Sequence, residues 1–509
     1  MIFTHRQLTS SRKFEVDVCI IGAGAGGSAA AYALSRAGRN VLMLERGSFL
    51  TPKDFDQREE DMFPKLFYDA GGRRTRNRAI RVLHGHGVGG STLHNINLCK
   101  RIPDPVIESW ELSEFTPRAL AFYYEQVEAL LGVSRISEDR MNANNRVFRR
   151  GVEELGYRGG MLSHNRKDCV GSGFCELGCA FDAKMNALRV LVPEAVRHGA
   201  TILADTRAIA LVTSGRRVTH LTAETLHPET GARQALHTIK AKSFICAGGA
   251  IETPLLLQRS EVPDPHGLVG ARLHLHPGVA ALGEFAAKVN SWQGIPQSYE
   301  CTEFLSFEPE ELNVDSDGKS ETRLWMIAGS AHPAGAASMV PGFGSEHAAW
   351  MERLPHMACV SAMVHDTTRG RVARKGEFGA DIDYVLNEAD RKTLEIGLRE
   401  ACRILLAAGA HEAVVPFVRP VRVRNMVELE RANMEVNDLD LDIVAVHPMS
   451  TVWMGRDQSS SCLDESCRYW QLDNLIVADM SAYPSSLGVP PQMSAYAIGL
   501  FAADTVKGL

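Results

Sequence analysis

The stretch from Val16 to Gly47 constrains this chain more than any other. An apolar β-run, Val16–Ile21, leads into Gly22-x-Gly24-x-x-Gly27. An Ala-rich helical segment follows to Arg36, Gly38 ends it, and a second apolar run, Val41–Leu44, finishes on Glu45. Each part has a physical task. Gly22 permits a tight turn, Gly24 lets a pyrophosphate approach the backbone, and Gly27 lets the helix pack close to the strand. The helix N-terminus then offers free N–H groups and a partial positive charge to phosphates. Glu45 can accept hydrogen bonds from a ribose diol and would repel a 2′-phosphate. The unit reads as the opening of a dinucleotide-binding domain.

The 509 residues suffice for two or more domains with large cores. Strand-like and helical patterns alternate, which indicates α/β architecture. Nucleotide-domain signals recur in three places. The first is the opening unit with a Gly-rich loop near residue 90. The second is 200–260, where ATILADTRAIALV and TIKAKSFICAGGAIETPLLLQRS read as strands, the latter followed by a helix. The third is the C-terminal stretch from NLIVADMSAYP onward.

Residues 275–446 differ. Strand-like segments stand at Leu324–Ser330, Cys359–His365 and Asp381–Val385. An amphipathic helix runs from Glu388 to about Ala408, capped by Asn387 and closed by Gly409. The expected fold is a Rossmann-type domain built from discontinuous segments (1–100, 186–274 and 447–509) plus an α+β domain with an antiparallel sheet (275–446). Residues 101–185 connect them and carry a cysteine cluster. SDGKSE at 316–321 reads as an exposed loop tip.

A formal charge of −6 argues against nucleic acid as the main partner. Arg73, Arg74, Arg76, Arg78 and Arg81 form one basic run, read as a solvated loop in preference to an anion site. No apolar leader precedes the first strand, and no apolar run approaches the ~18 residues of a membrane span. A cytoplasmic location is the expectation. Eleven cysteines in such a chain point to thiols or metal ligands and not to a disulfide framework.

A second Gly-rich motif, GHGVGGSTLHN, spans Gly85 to Asn95. The chain also carries GGAIETPLLLQRS at 248–260 and HPMSTVWMG at 447–455. Together these resemble the glucose–methanol–choline (GMC) oxidoreductase family, which binds FAD. The resemblance runs from the first strand to the last helix and is weak across 280–440. It implies oxidation of an alcohol CH–OH group by hydride transfer to flavin N5, with His447 as general base. Gly22, Gly24, Gly27 and Glu45 would hold the ADP half. Gly89, Gly90, Ser91, Asn95 and Asn97 would lie along the pyrophosphate and flavin, and Ala208, Ala247 and Gly248 would border the adenosine. Asp479 matches the family's FAD-contacting acid. Pro491 would begin the last helix, whose N-terminus would face the flavin.

The sequence departs from the family in two places. Ser450 replaces the usual Gly after His-Pro-x. Pro490 stands where an Asn or His is usual, so the second polar member of the catalytic pair is missing. Gln492 or a residue of the inserted domain is a candidate replacement, or His447 works alone. His94 precedes Asn95 and is read either as a covalent flavin attachment point or as a packing histidine.

Cys169, Cys175 and Cys179 lie within eleven residues. This segment is similar to that of bacterial FAD-dependent sugar dehydrogenases, which hold a [3Fe–4S] cluster. The other readings are structural thiols, zinc or one disulfide. With a cluster, electrons would pass to a quinone or cytochrome. Without one, an oxygen-using oxidase is the better reading, and a lyase using FAD as scaffold is a further alternative. Trp292, Phe304, Leu324, Trp325, Met339, Met351 and Met357 would suit a hydrophobic alcohol or serve as ordinary core.

Overall fold

The computed structural model describes residues 1–307 and 323–508; the loop tip expected at 316–321 lies outside the described residues. Two sheets organise the chain. The first has eight strands, in the order Ile2–Phe3, Thr201–Leu203, Val41–Leu44, Arg12–Ile21, Arg233–Cys246, Arg217–Leu226, Thr206–Ser214, with Leu475–Val477 also paired to Arg233–Cys246. The glycine-motif strand Arg12–Ile21 sits centrally, parallel to Val41–Leu44 on one side and Arg233–Cys246 on the other. Arg217–Leu226 and Thr206–Ser214 extend the sheet in antiparallel fashion. The three distant nucleotide-domain segments therefore meet in one sheet. Its central strands are buried apolar runs such as Cys19, Ile20, Val41, Leu42, Phe244 and Ile245, as expected of a sheet covered on both faces.

Helix Ala25–Arg36 packs on this sheet between Leu191–Arg197 and the last helix, Gln492–Lys507. Gly26 and Gly499 set that crossing. A Cβ on Gly499 would collide with the Gly26 carbonyl, and one on Gly26 with the Ala478 carbonyl.

The second sheet has nine strands, mostly antiparallel, centred on Gly278–Glu284, Met357–Val364 and Leu324–Ala328. Helix Glu388–Ala407 covers it with Leu394, Leu398, Ala401 and Leu405 buried. Asn387 caps this helix by accepting from the Asp390 N–H at 2.8 Å, and Gly409 follows it at φ +88°. Two strands of this sheet come from outside 275–446: Ile80–Val82 pairs with Ile443–Ala445, and Gly159–Met161 with Tyr299–Cys301.

The arginine run is where the halves are pinned, which corrects the solvated-loop expectation. Arg73 is buried and pairs with Asp69 and Glu252. Arg74 and Arg81 share Asp442, and Arg76 grips Asp381 and Asp383. Carboxylates, all but Asp69 distant in sequence, pair with Arg73, Arg74, Arg76 and Arg81, while Arg78 is exposed. Among the described residues no helix is long and apolar enough to cross a membrane.

Candidate active site

A cavity of about 540 Å³ opens between the two sheets. Both glycine motifs reach it and touch each other. Gly22 stands at φ +108° and Gly90 at φ +54°, and a Cβ on Gly90 would lie 2.7 Å from the Gly24 Cα. The Gly89 N–H donates to the Ala23 carbonyl at 2.8 Å. Glu45 joins the two loops. Its buried carboxylate accepts from the N–H groups of Ala23 (3.0 Å), Gly47 (2.8 Å) and Gly87 (3.1 Å). Burial outweighs these bonds and raises its pKa.

Asp479 plays the same part at the C-terminal segment. It accepts from Gly249 N–H (2.9 Å), the Thr253 hydroxyl (2.6 Å), and the Ser481 N–H and hydroxyl (2.8 and 2.6 Å). Both acids expected to contact a nucleotide thus accept hydrogen bonds that tie loops together, three at Glu45 and four at Asp479. Both also line the cavity.

Of the other predicted site residues, Gly22, Gly24, Gly90, Ser91, His94 and Asn95 line the cavity from one side. Ala208, Ala247 and Gly248 line it beside Arg259, which donates to the Ala208 carbonyl at 3.1 Å. Pro491 and Gln492 line it at the start of the last helix, where Pro491 is the N-cap one place before the first helical residue. Gly27, Gly89 and Asn97 lie behind the wall. Gly27 allows helix Ala25–Arg36 to sit against the Gly22 carbonyl, and Asn97 is buried at φ +69°.

His447 lines the cavity with its Nδ1 3.3 Å from the Nδ1 of His276. The rings meet edge to face, with centroids 5.4 Å apart. The Gly488 N–H donates to His276 Nε2 at 3.0 Å. An amide can only donate, so a neutral His276 carries its proton on Nδ1, facing His447. Asp366 anchors this corner by accepting from the backbone N–H groups of Leu275 (3.0 Å) and His276 (3.2 Å), the Tyr384 hydroxyl (2.7 Å) and the Ser486 hydroxyl (2.7 Å). Burial alone would raise Asp366, but the His274 ring, His276 and Tyr384 hold it well below the usual carboxylate range. Burial pushes His447 down to about 3, with Asp366 opposing weakly, and drives His276 well below its ordinary value. Burial favours the neutral form of both rings.

Two sequence profiles described as GMC oxidoreductase match this chain, one over residues 63–278 and the other over 366–499. The chain belongs to the GMC oxidoreductase family. A third profile, described as FAD dependent oxidoreductase, covers 17–52. An uncharacterized GMC-type oxidoreductase of Mycobacterium tuberculosis is 31% identical over 496 residues, spanning 96% of this chain and 75% of that one. A long-chain-alcohol oxidase of Arabidopsis thaliana is 28% identical, over 95% of this chain and 66% of its own length. Among solved structures, pyridoxine 4-oxidase from "Mesorbium loti" superposes with TM-score 0.72 at 20% identity, over 97% of this chain and 99% of that chain.

This GMC oxidoreductase is a flavoprotein, and its cavity residues fit FAD. Side chains are absent where Gly22, Gly24 and Gly90 crowd the wall. His94, its ring tilted against Phe67 with centroids 4.1 Å apart, keeps a buried Nε2 with no hydrogen-bond partner among the described residues. The far wall is apolar, with Ile96, Leu98, Trp325, Ile327, Met339 and Met363. Of the candidate substrate residues, Trp325 and Met339 line it, while Leu324 and Met357 are core.

An iron–sulfur centre does not fit. Among the described residues no three His, Cys, Asp or Glu side chains gather to hold a metal ion. Cys169 and Cys175 face Arg166, whereas Cys179 accepts from the Ala183 N–H at 3.2 Å.

His276 was missed by sequence reasoning. Its one signal is the His-Pro dipeptide it shares with His447, but the same dipeptide recurs at 227–228 and 332–333. Gln492, the candidate replacement for the missing polar residue, is committed elsewhere. Its amide donates to Leu98 O (3.1 Å) and Asn165 Oδ1 (3.1 Å) and its oxygen accepts from Asn95.

Proposed function

We propose that this protein is an alcohol oxidase, oxidising a CH–OH group carried by a largely apolar substrate. The observation that carries the reading is the closely paired His447 and His276 rings on the wall of the cavity into which both glycine loops open. FAD, held by the glycine loops and the start of the last helix, would supply the hydride acceptor and the redox chemistry toward dioxygen. The names of the alcohol-oxidising relatives and the lack of fit for a metal cluster support an oxidase over a cluster-linked dehydrogenase.

His447 supplies the proton chemistry. In the resting pair the Gly488 N–H places the His276 proton on Nδ1, so the His447 proton sits on Nε2. That N–H can hold a substrate hydroxyl by its oxygen. His447 accepts the hydroxyl proton in its other tautomer, with Nδ1 donating to His276. Reaching that tautomer requires His276 to carry a proton on Nε2 and release Gly488. Burial favours the neutral ring at rest, free to take the hydroxyl proton, and the imidazolium so formed then releases that proton to solvent. Trp325, held by its Nε1–H to Glu300 at 2.5 Å, and Met363 keep water from the far wall. His276 gives His447 a polar partner although position 490 is proline, which favours oxidation over a scaffold-only use of FAD.

The test is anaerobic mixing of the holoenzyme with primary alcohols of increasing chain length. Bleaching of the flavin bands, restored by oxygen with release of hydrogen peroxide, is expected. A protein that binds its alcohol without bleaching would be a lyase or a binder. Bleaching restored by a dye but not by oxygen would make it a dehydrogenase.

A further inference from the structure

Of the eleven cysteines, Cys169, Cys175 and Cys179 are part-exposed and the other eight are buried. Burial pushes the thiols of Cys99, Cys301 and Cys402 up to about 12, the mark of inert core cysteines. The part-exposed thiols lie in different surroundings. Arg166 Nη1 stands 3.7 Å from the Cys169 sulfur and 3.5 Å from the Cys175 sulfur. Its other donors go to neutral acceptors, His164 Nδ1 at 2.7 Å and the Ile96 carbonyl at 2.8 Å. Among the described residues no carboxylate pairs with this guanidinium, so the two sulfurs are the groups touching it that can carry negative charge. Burial alone would lower Arg166, but the sulfurs of Cys175 and Cys169 outweigh it.

A second cation stands alongside. Lys184 is buried and donates to the carbonyls of Leu93 (2.9 Å), Asn95 and Cys175 (2.8 Å). The chain between the two cysteines turns through Gly171 at φ +73° and Gly173 at φ +88°, which brings both sulfurs to one side of Arg166. Glu176, next to Cys175, lines the large cavity.

We propose that Cys169 and Cys175 form a redox-active thiol pair that a hydroperoxide oxidises to a disulfide. Positive charge around accessible sulfur is the setting in which cysteines react. The Cys175 sulfur, nearer the guanidinium, attacks one peroxide oxygen. An S–O bond forms, the O–O bond breaks, and the leaving hydroxide takes the thiol proton as water, so sulfur is oxidised and peroxide reduced. The Cys169 sulfur then displaces the hydroxyl, forming the S–S bond and a second water. The pair rests on the two cations that also hold the carbonyls of Leu93, Asn95 and Ile96, the strip bearing His94 and Asn95 on the cavity wall.

The experiment treats purified holoenzyme with hydrogen peroxide, alkylates free thiols under denaturing conditions and maps peptides without reductant. A Cys169–Cys175 linked peptide that disappears with dithiothreitol is expected. In Cys169→Ser, a dimedone adduct at Cys175 is expected in place of the disulfide. In Arg166→Gln, oxidation is expected to slow about tenfold. If that variant fails to fold, the wild-type map and Cys169→Ser still decide. Full alkylation of both cysteines after peroxide overturns the proposal. So does a disulfide that uses Cys179, or iron or zinc bound through these thiols in the protein as isolated.

Discussion

The Nδ1 atoms of His276 and His447 stand 3.3 Å apart across 171 residues of sequence. One ring comes from the chain entering the second sheet and the other from the chain leaving it. Each therefore fixes the other's tautomer only once both domains have closed on the cavity. His447→Ala is expected to slow alcohol-driven flavin reduction about 10²–10⁴-fold, the usual worth of general base catalysis. His276→Ala is expected to slow it less and to change the pH profile of the reduction rate, because the hold on the His447 tautomer is gone. Stopped-flow absorbance across pH reads both. A His276→Ala profile identical in shape to wild type would leave His276 a packing residue.

Acid stability follows from the buried rings. Burial holds His94 down to about 3 and His365 to about 4, against an unfolded value of 6.5. The unfolded chain binds these protons as pH falls below 6.5, while the folded rings refuse them until near 4 and 3. Stability is therefore flat above 6.5 on account of these groups and falls between 6.5 and about 4. Each ring costs about 1.4 kcal/mol per pH unit in that window. Thermal denaturation from pH 8 to pH 4.5 should show a plateau and then a steep decline. A midpoint insensitive to pH over that range would contradict the buried neutral histidines.

The crossing of the first and last helices tolerates no side chain at Gly26 or Gly499. Gly499→Val forces these helices apart and is expected to cost about 1–3 kcal/mol. The last helix also starts at the cavity wall, so the variant should retain less FAD on gel filtration. Urea midpoints and the ratio of flavin to protein absorbance measure the two effects. Normal stability with normal flavin content would sink this account of the crossing.

Arg73 is buried between Asp69, Glu252 and the His84 ring, with its guanidinium over Tyr68 at 4.7 Å. Arg73→Ala leaves Glu252 without its partner and is expected to destabilise the fold by about 3 kcal/mol. Arg76→Ala removes an ion pair in which the arginine is largely exposed and should cost less than about 1 kcal/mol. Comparison of the two midpoints separates a domain clamp from a surface contact, and equal effects would refute the distinction.

The arginine run shows where sequence reading stops. Five arginines within nine residues carry no mark of the Glu252, Asp381, Asp383 and Asp442 carboxylates that meet four of them. Sequence order says nothing about which distant chain returns to a given face. The cysteine trio fails for the same reason, since spacing cannot reveal that Arg166 would occupy the place between two sulfurs.

What the sequence determined by itself was local and steric. The glycines at 22, 24, 27 and 90, the apolar strands around them and the Asn387 cap follow from backbone geometry and side-chain chemistry within a few residues, while the candidacy of His447 came from the resemblance to the GMC family. The tertiary structure decided the rest. It loaded Glu45 and Asp479 with loop N–H groups, committed Gln492 to Asn95 and Leu98, and brought His276 to His447. Those outcomes depend on how two sheets built from interleaved segments close on one cavity, and a one-dimensional pattern carries no record of that closure.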